Sequence, residues 1–177
     1  MIYIIRHGQT DWNKQKVMQG QIDIPLNETG KEQARELGKK LKEIVFDYVF
    51  CSPLIRTRQT LENLDLKSAT QIVYDDRLKE RNYGEFEKTP KNSFDYNLFW
   101  NYSANMKYIK AESCQDFFNR VISFFDEIKK NYQNKNILIV THAGITKVAK
   151  CYFDGWLKDD EIGQYLPNNA EVLKYNS

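Results

Sequence analysis

Two short apolar runs set the terms on which this chain can fold. Residues 2–5 (Ile-Tyr-Ile-Ile) and residues 136–140 (Asn-Ile-Leu-Ile-Val) are rich in β-branched side chains and show no alternating polar face. Strands of that kind are buried on both sides, as in a parallel sheet covered by helices. A histidine, His7 or His142, stands two residues after the end of each run, with a glycine within two residues of each, and these are the two histidines of the chain. In open α/β sheets ligands bind beyond the carboxyl ends of the strands, so both imidazoles are expected where chemistry is done. One histidine in such a place reads as structural. Two out of two read as a site.

The intervening sequence supplies the helices. Thr29 with Glu32 reads as a capping box ahead of Ala34, Leu37, Leu41 and Ile44 at helical spacing. Residues 48–51 form a second strand candidate. Ser52-Pro53 reads as an N-cap followed by proline at the first helical position, which puts Arg56 in the opening turns of a helix. Residues 71–74 are a third strand candidate. Ser113 with Asp116 opens a helix that carries Phe117, Val121, Phe124, Phe125 and Ile128 on one face, and Ile145, Val148, Ala149 and Tyr152 mark a final helix. Residues 171–175 return as an edge strand. The expected fold is α/β, a three-layer sandwich with a mostly parallel central sheet flanked by helices. At roughly 150 residues per domain, residues 1–177 make a single domain. Residues 88–111 differ in kind: Phe94, Tyr96, Phe99, Trp100, Tyr102 and Tyr108 are mixed with Asn and Lys, and no arginine occurs. This segment reads as a small inserted cap, either ordinary packing or a hydrophobic lid over a substrate.

Composition excludes several functions. Lys and Arg total 26 against 24 Asp and Glu, a net charge of +2, far from the excess of a dedicated nucleic-acid binder. A site for anions must therefore concentrate positive charge locally. Cys51, Cys114 and Cys151 are odd in number and irregular in spacing, so they suggest neither a zinc site nor a disulfide framework but reduced thiols in a cytoplasm. The first residues are too short an apolar run for a signal peptide, and no stretch approaches the ~18 apolar residues of a membrane span. The reading is a cytoplasmic protein with neither a membrane nor a nucleic acid as partner.

Arginine sharpens the site. A guanidinium is a planar fork matched to phosphate oxygens, and a helix N-terminus adds free N–H groups. Arg56 alone reads as a surface charge. Arg6, between a buried strand and a strand-end histidine, does not. Arg6-His7-Gly8-Gln9-Thr10 resembles the Arg-His-Gly signature of the histidine phosphatase superfamily, the branch of cofactor-dependent phosphoglycerate mutases and their phosphatase relatives. Asp11-Trp12-Asn13, Gln19-Gly20, Asp23, Pro25-Leu26-Asn27 and Thr29-Gly30 are similar to its continuation. Further matches are Ser52-Pro53-Leu54 through Arg56-Thr57 to Gln59-Thr60, Leu78-Lys79-Glu80 with Gly84, Glu112-Ser113, and Thr141-His142 with Gly144.

The resemblance implies that His7 is the nucleophile, phosphorylated on a ring nitrogen. Arg6, Arg56 and His142 would hold the transferred phosphoryl group, with Asn13 and Gln19 lining the same pocket. Glu80 would protonate the leaving oxygen and then activate water. Gly20, Arg81 and Tyr83 complete the expected substrate-binding set. A histidine nucleophile divides one displacement into two, and fixed cations stabilise phosphoryl oxygens without a metal or a cofactor. The expected partner is a small phosphorylated substrate.

Three rivals stand beside this reading. Cys114-x5-Arg120 has the spacing of cysteine-dependent phosphatases, but the residues between continue a helical apolar face, and a phosphate loop needs successive free N–H groups. A mutase is favoured by Glu80-Arg81-Asn82-Tyr83-Gly84 and by Lys91, which falls where mutases have a substrate-binding lysine. It is opposed by the lack of any arginine between Arg81 and Arg120, where mutases carry a pair. A non-catalytic phospholigand-binding module would have lost the nucleophile or the acid, and both His7 and Glu80 are present. One further departure is Lys88, where the family usually has glycine.

Overall fold

The computed structural model describes residues 1–66 and 71–176. Its strands are β1 (Ile2–Arg6), β2 (Tyr48–Cys51), β3 (Ile72–Tyr74), β4 (Ile137–Thr141) and β5 (Val172–Tyr175). They form a five-stranded sheet in the order β3-β2-β4-β1-β5. The first four run parallel, and β5 lies antiparallel to β1 at one edge. The helices are α1 (Asp11–Lys14), α2 (Glu28–Leu41), α3 (Ile55–Asn63), α4 (Tyr96–Phe99), α5 (Cys114–Asn131), α6 (Ala143–Asp154) and α7 (Asp159–Gln164).

Strand residues alternate between two apolar clusters, which makes the sandwich. Ile2, Ile4, Phe50, Ile137 and Ile139 join Phe117, Val121, Phe124 and Phe125 of α5 and Ile145 and Val148 of α6. Ile5, Val49, Cys51, Leu138 and Val140 join Leu37 and Leu41 of α2 and Leu61 of α3. Each fully buried side chain of this kind contributes about 1.5–3 kcal/mol by leaving water. The strands therefore carry no polar face because both faces are covered. Among the described residues no helix is long and apolar enough to cross a membrane.

Several local expectations change. The N-cap of α2 is Asn27, whose side chain accepts from Gly30 N–H at 2.9 Å, so Thr29 and Glu32 lie inside the helix. Ser52 does not cap α3; that helix starts at Ile55, whose N–H donates to Asp23 Oδ1 at 2.6 Å from a distant loop. α6 is not the last helix, since α7 comes after it. Ser113 does cap α5, accepting from Asp116 N–H at 3.2 Å. Within residues 88–111, Phe99 and Trp100 are buried and pack edge-on to Tyr83 and Phe117, so most of this segment's aromatic surface extends the main core.

Candidate active site

The carboxyl ends of β1 and β4 lie side by side, with Arg6 opposite Thr141. His7 N–H donates to the Thr141 carbonyl at 2.9 Å. This register brings the His7 and His142 rings to 5.3 Å between centroids. A cavity of about 460 Å³ opens over His7, and Arg6, His7, Asn13, Gln19, Gly20, Arg56, Glu80 and Tyr83 all line it, whereas His142, expected to hold the phosphoryl group, does not.

The tautomer of His7 is set by one contact. Its Nδ1 lies 2.7 Å from the Gly8 carbonyl oxygen, which only accepts, so Nδ1 carries the proton and Nε2 keeps a lone pair. Burial, followed by the charges of Arg56 and Arg6, holds the ring's pKa well below the usual 6.5. His7 is therefore neutral at pH 7, with a nucleophilic nitrogen among cations.

Arg56 sits in the first turn of α3 with 1% of its surface exposed. Its Nη2 donates to Gly20 O at 2.7 Å, its Nη1 to Ile22 O at 2.9 Å and its Nε to His142 Nδ1 at 3.2 Å. Burial pushes its pKa down to about 10, which still leaves it charged at neutral pH. A guanidinium has five N–H bonds, so one on each terminal nitrogen remains for a ligand. Arg6 donates through Nη1 to Pro167 O at 2.5 Å, and its buried Nε has no partner among the described residues.

His142 stands one step further back. It has no exposed surface, and because Nδ1 accepts from Arg56, its Nε2 carries the proton and donates to Ser52 Oγ at 2.7 Å. Burial first, then Arg56, keeps this ring neutral as well. Both nitrogens are engaged within the protein, so His142 acts on the cavity by orienting Arg56 and not by a free donor of its own. Glu80 lines the cavity beside the start of α6. Its Oε1 accepts from Arg81 N–H at 2.8 Å and its Oε2 from Gly144 N–H at 3.0 Å, in the first turn of α6.

The remaining expected residues divide. Asn13 lines the cavity while its Oδ1 accepts from Thr10 N–H at 3.0 Å. Gln19 has a buried Oε1 without a partner among the described residues. Gly20 adopts φ +52°, and a Cβ there would stand 2.1 Å from Glu87 Oε1, so only glycine lets this loop lie against that carboxylate. Tyr83 keeps its phenolic proton, because burial raises its pKa well above 10. Arg81 departs from expectation: it does not reach the cavity. Its Nε donates to Glu112 O at 2.9 Å and its Nη1 to Phe99 O at 2.5 Å, while the guanidinium lies 3.6 Å from the Phe99 ring centroid. Packing against the inserted segment has turned the side chain away from the cavity.

Sequence reasoning missed Ser52 as the partner of His142, and it missed Leu166 and Asn169 in the cavity wall. Asn169 Nδ2 donates to His7 O at 2.9 Å, across 162 residues of sequence. No local pattern marks such a contact. Trp12, Lys16, Lys91 and Tyr96 also line the cavity. The rival Cys114-x5-Arg120 is dismantled by the structure. Burial pushes the Cys114 thiol up to about 11, and Arg120 is paired with Glu112 at 2.8 Å. No thiolate and no phosphate loop form there.

A sequence profile described as "Histidine phosphatase superfamily (branch 1)" matches residues 2–175. The chain belongs to the histidine phosphatase superfamily. Membership of that family implies a phosphorylated small-molecule substrate. The chain is 37% identical over 141 residues to a Bacillus subtilis protein named "Uncharacterized phosphatase PhoE", covering 80% of this chain and 70% of that one. It is 31% identical over 147 residues to a "Probable phosphoglycerate mutase GpmB" of Shigella dysenteriae, covering 80% and 68%. Among solved structures, an alpha-ribazole phosphatase from Shigella flexneri superposes with a TM-score of 0.81 at 26% identity, over 97% of this chain and 87% of that one.

Proposed function

We propose that this protein is a phosphomonoester hydrolase that acts on a small phosphorylated metabolite through a phosphohistidine at His7. The observation that carries the reading is the neutral His7 ring, with Nδ1–H fixed on Gly8 O and Nε2 left free beside Arg6 and Arg56. In the first step the Nε2 lone pair attacks phosphorus, the bond to the leaving oxygen breaks, and Glu80 delivers a proton to that oxygen. In the second, Glu80 takes a proton from water, the water oxygen displaces Nε2, and inorganic phosphate departs. Arg6 and Arg56 neutralise the equatorial oxygens in both steps. His142 fixes the Arg56 fork, and Asn13, Gln19, Gly20 and Tyr83 shape the pocket. The charge is supplied by side chains. Among the described residues no three His, Cys, Asp or Glu side chains converge as metal ligands would, and activity is expected to survive exhaustive EDTA treatment. The reading extends to one catalytic domain working in a reducing cytoplasm, where the buried Cys51, Cys114 and Cys151 remain thiols.

Turnover of labelled substrate, quenched without acid, should yield protein-bound phosphate that is acid-labile and base-stable. Label that survives acid, or that persists in His7→Ala, overturns the assignment.

A phosphoglycerate mutase is the second reading, favoured by Lys91 in the cavity wall. A mutase must grip a bisphosphorylated intermediate at both ends while it reorients. Arg81 is turned away, and lysine is a more mobile, more strongly hydrated partner than arginine. With 3-phosphoglycerate and catalytic 2,3-bisphosphoglycerate, phosphate release from a good monoester should far exceed formation of 2-phosphoglycerate. Efficient interconversion with negligible release promotes the mutase.

A further inference from the structure

Lys147 lies on the inner side of α6 with no exposed surface, and it forms no ion pair among the described residues. Its ammonium donates to Ile162 O at 2.8 Å, to Gly163 O at 2.9 Å and to Tyr165 O. These are carbonyls at the end of α7 and just past it, the groups a helix C-terminus leaves without partners. The same ammonium lies 5.2 Å from the Trp100 ring centroid and 5.9 Å from that of Tyr96, both in the inserted segment.

These contacts fix the course of the chain beyond Tyr165. Leu166 and Asn169 line one side of the cavity and Tyr96 lines it too. Two buried cations hold the backbone on either side of Leu166: Lys147 at Tyr165 O and Arg6 at Pro167 O. One residue of α6 therefore ties two walls of the cavity to the helix whose first turn holds Glu80. We propose that Lys147 is a positioning residue that sets the spacing between the Leu166 and Tyr96 walls and thereby the fit of the leaving group. This rests on the phosphatase reading for its kinetic consequence and on the fold alone for its structural one.

The number of carbonyls this side chain can hold depends on its protonation. Burial pushes the Lys147 pKa down to about 7. The titratable groups that face it are Glu80 held at Gly144, Lys91 and Tyr96 on the inserted segment, Arg6 at the end of β1, Cys151 one turn on in α6 and Cys114 at the start of α5. An ammonium offers a donor to each of its three carbonyls, and the neutral amine offers only two.

The test compares wild type with Lys147→Met, which removes the donors without leaving an unpaired charge, and with Lys147→Gln, which keeps two N–H donors and serves if the methionine variant does not fold. KM for p-nitrophenyl phosphate should rise about tenfold, the loss of a charge-assisted contact, while the inhibition constant of inorganic phosphate, which needs only the inner end, moves far less. Amide hydrogen exchange across residues 164–171 should accelerate while β4 and α5 stay protected. Unchanged exchange overturns the clip whatever the kinetics. Faster exchange with KM and the phosphate constant rising together overturns the leaving-group role. If wild type releases no phosphate from any monoester, the phosphatase reading falls, and the exchange measurement still decides the clip.

Discussion

The backbone amide of Gly144 donates to Glu80 Oε2 at 3.0 Å, and a Cβ at that position would stand 2.0 Å from the other carboxylate oxygen. Glycine is thus required by the approach of an acid and not by a turn. One free N–H of the first turn of α6, that of Gly144, holds the carboxylate in the cavity wall together with Arg81 N–H, and the last residue before that turn is His142. One helix N-terminus therefore places the acid beside the histidine that orients Arg56.

Gly144→Ala should displace Glu80 and leave His7 in place. A general acid contributes roughly 10²–10⁴-fold and matters most for poor leaving groups. The turnover of alkyl phosphates should fall by about 10² in Gly144→Ala, and by more in Glu80→Gln, while p-nitrophenyl phosphate loses much less. Rates plotted against leaving-group pKa will show a steeper slope in both variants. Parallel losses across the series would mean that Glu80 is not the acid.

His7 and His142 are both buried neutral, with pKa values held well below 6.5 by burial and by the neighbouring arginines. Two consequences share one sign. Between the folded and unfolded pKa values the unfolded chain binds more protons, so stability is full above pH 6.5 and declines as pH falls toward the folded values. The urea midpoint should drop between pH 7.5 and pH 5, and His142→Gln should flatten that slope. The nucleophile also stays unprotonated below pH 6.5. Single-turnover phosphorylation of His7 should therefore not titrate with a pKa near 6.5, and a limb at that value would contradict the buried neutral ring.

Arg81 gives the opposite expectation to its neighbour Glu80. Its donors meet the Glu112 and Phe99 carbonyls and its face covers the Phe99 ring. Arg81→Met should cost about 3 kcal/mol, the penalty for stranding buried acceptors. For a chain of this size that is a fall in Tm of roughly 6–12 °C. KM for p-nitrophenyl phosphate should stay within about twofold in the folded variant. A large rise in KM without loss of Tm would return Arg81 to the substrate.

How much could be read in advance depends on how local each cause is. β1 and β4 were legible because strands covered on both faces lack polar alternation, and their carboxyl ends then placed His7 and His142. The α5 cap was legible because Ser113 and Asp116 are three residues apart and bond each other. The α3 start was not, because its N-cap residue Leu54 offers no side-chain acceptor, the Ile55 N–H donates to Asp23 from another loop, and the Ser52 hydroxyl is taken by a histidine 90 residues away. α7 has six residues, of which Ile162 and Gly163 are buried, too few for a periodic signal. Arg81 shares its motif with Glu80, yet its direction is decided by Phe99, which sequence spacing does not reveal. Leu166 and Asn169 enter the cavity through the return of the chain to β5, a tertiary event without a motif.

Lys88 is where the family usually has glycine, and the backbone retains the glycine conformation. Its φ is +68°, in the left-handed region that a side chain disfavours by about 1–2 kcal/mol. The strain persists because Lys88 N–H donates to Met18 O at 2.9 Å, and Met18 is part of the cavity wall. The lysine side chain is exposed and forms no ion pair among the described residues, so removing it breaks no ion pair there. Glycine relieves the steric cost and gives back part of the gain as unfolded-state entropy, for a net of about 0.5–1 kcal/mol. Lys88→Gly should raise Tm by about 1–4 °C with KM unchanged. Lys88→Ala removes the charge and keeps the strain, so it should not raise Tm. If alanine stabilises as much as glycine, the cause lies in surface charge, and the left-handed backbone at Lys88 is not what limits stability there.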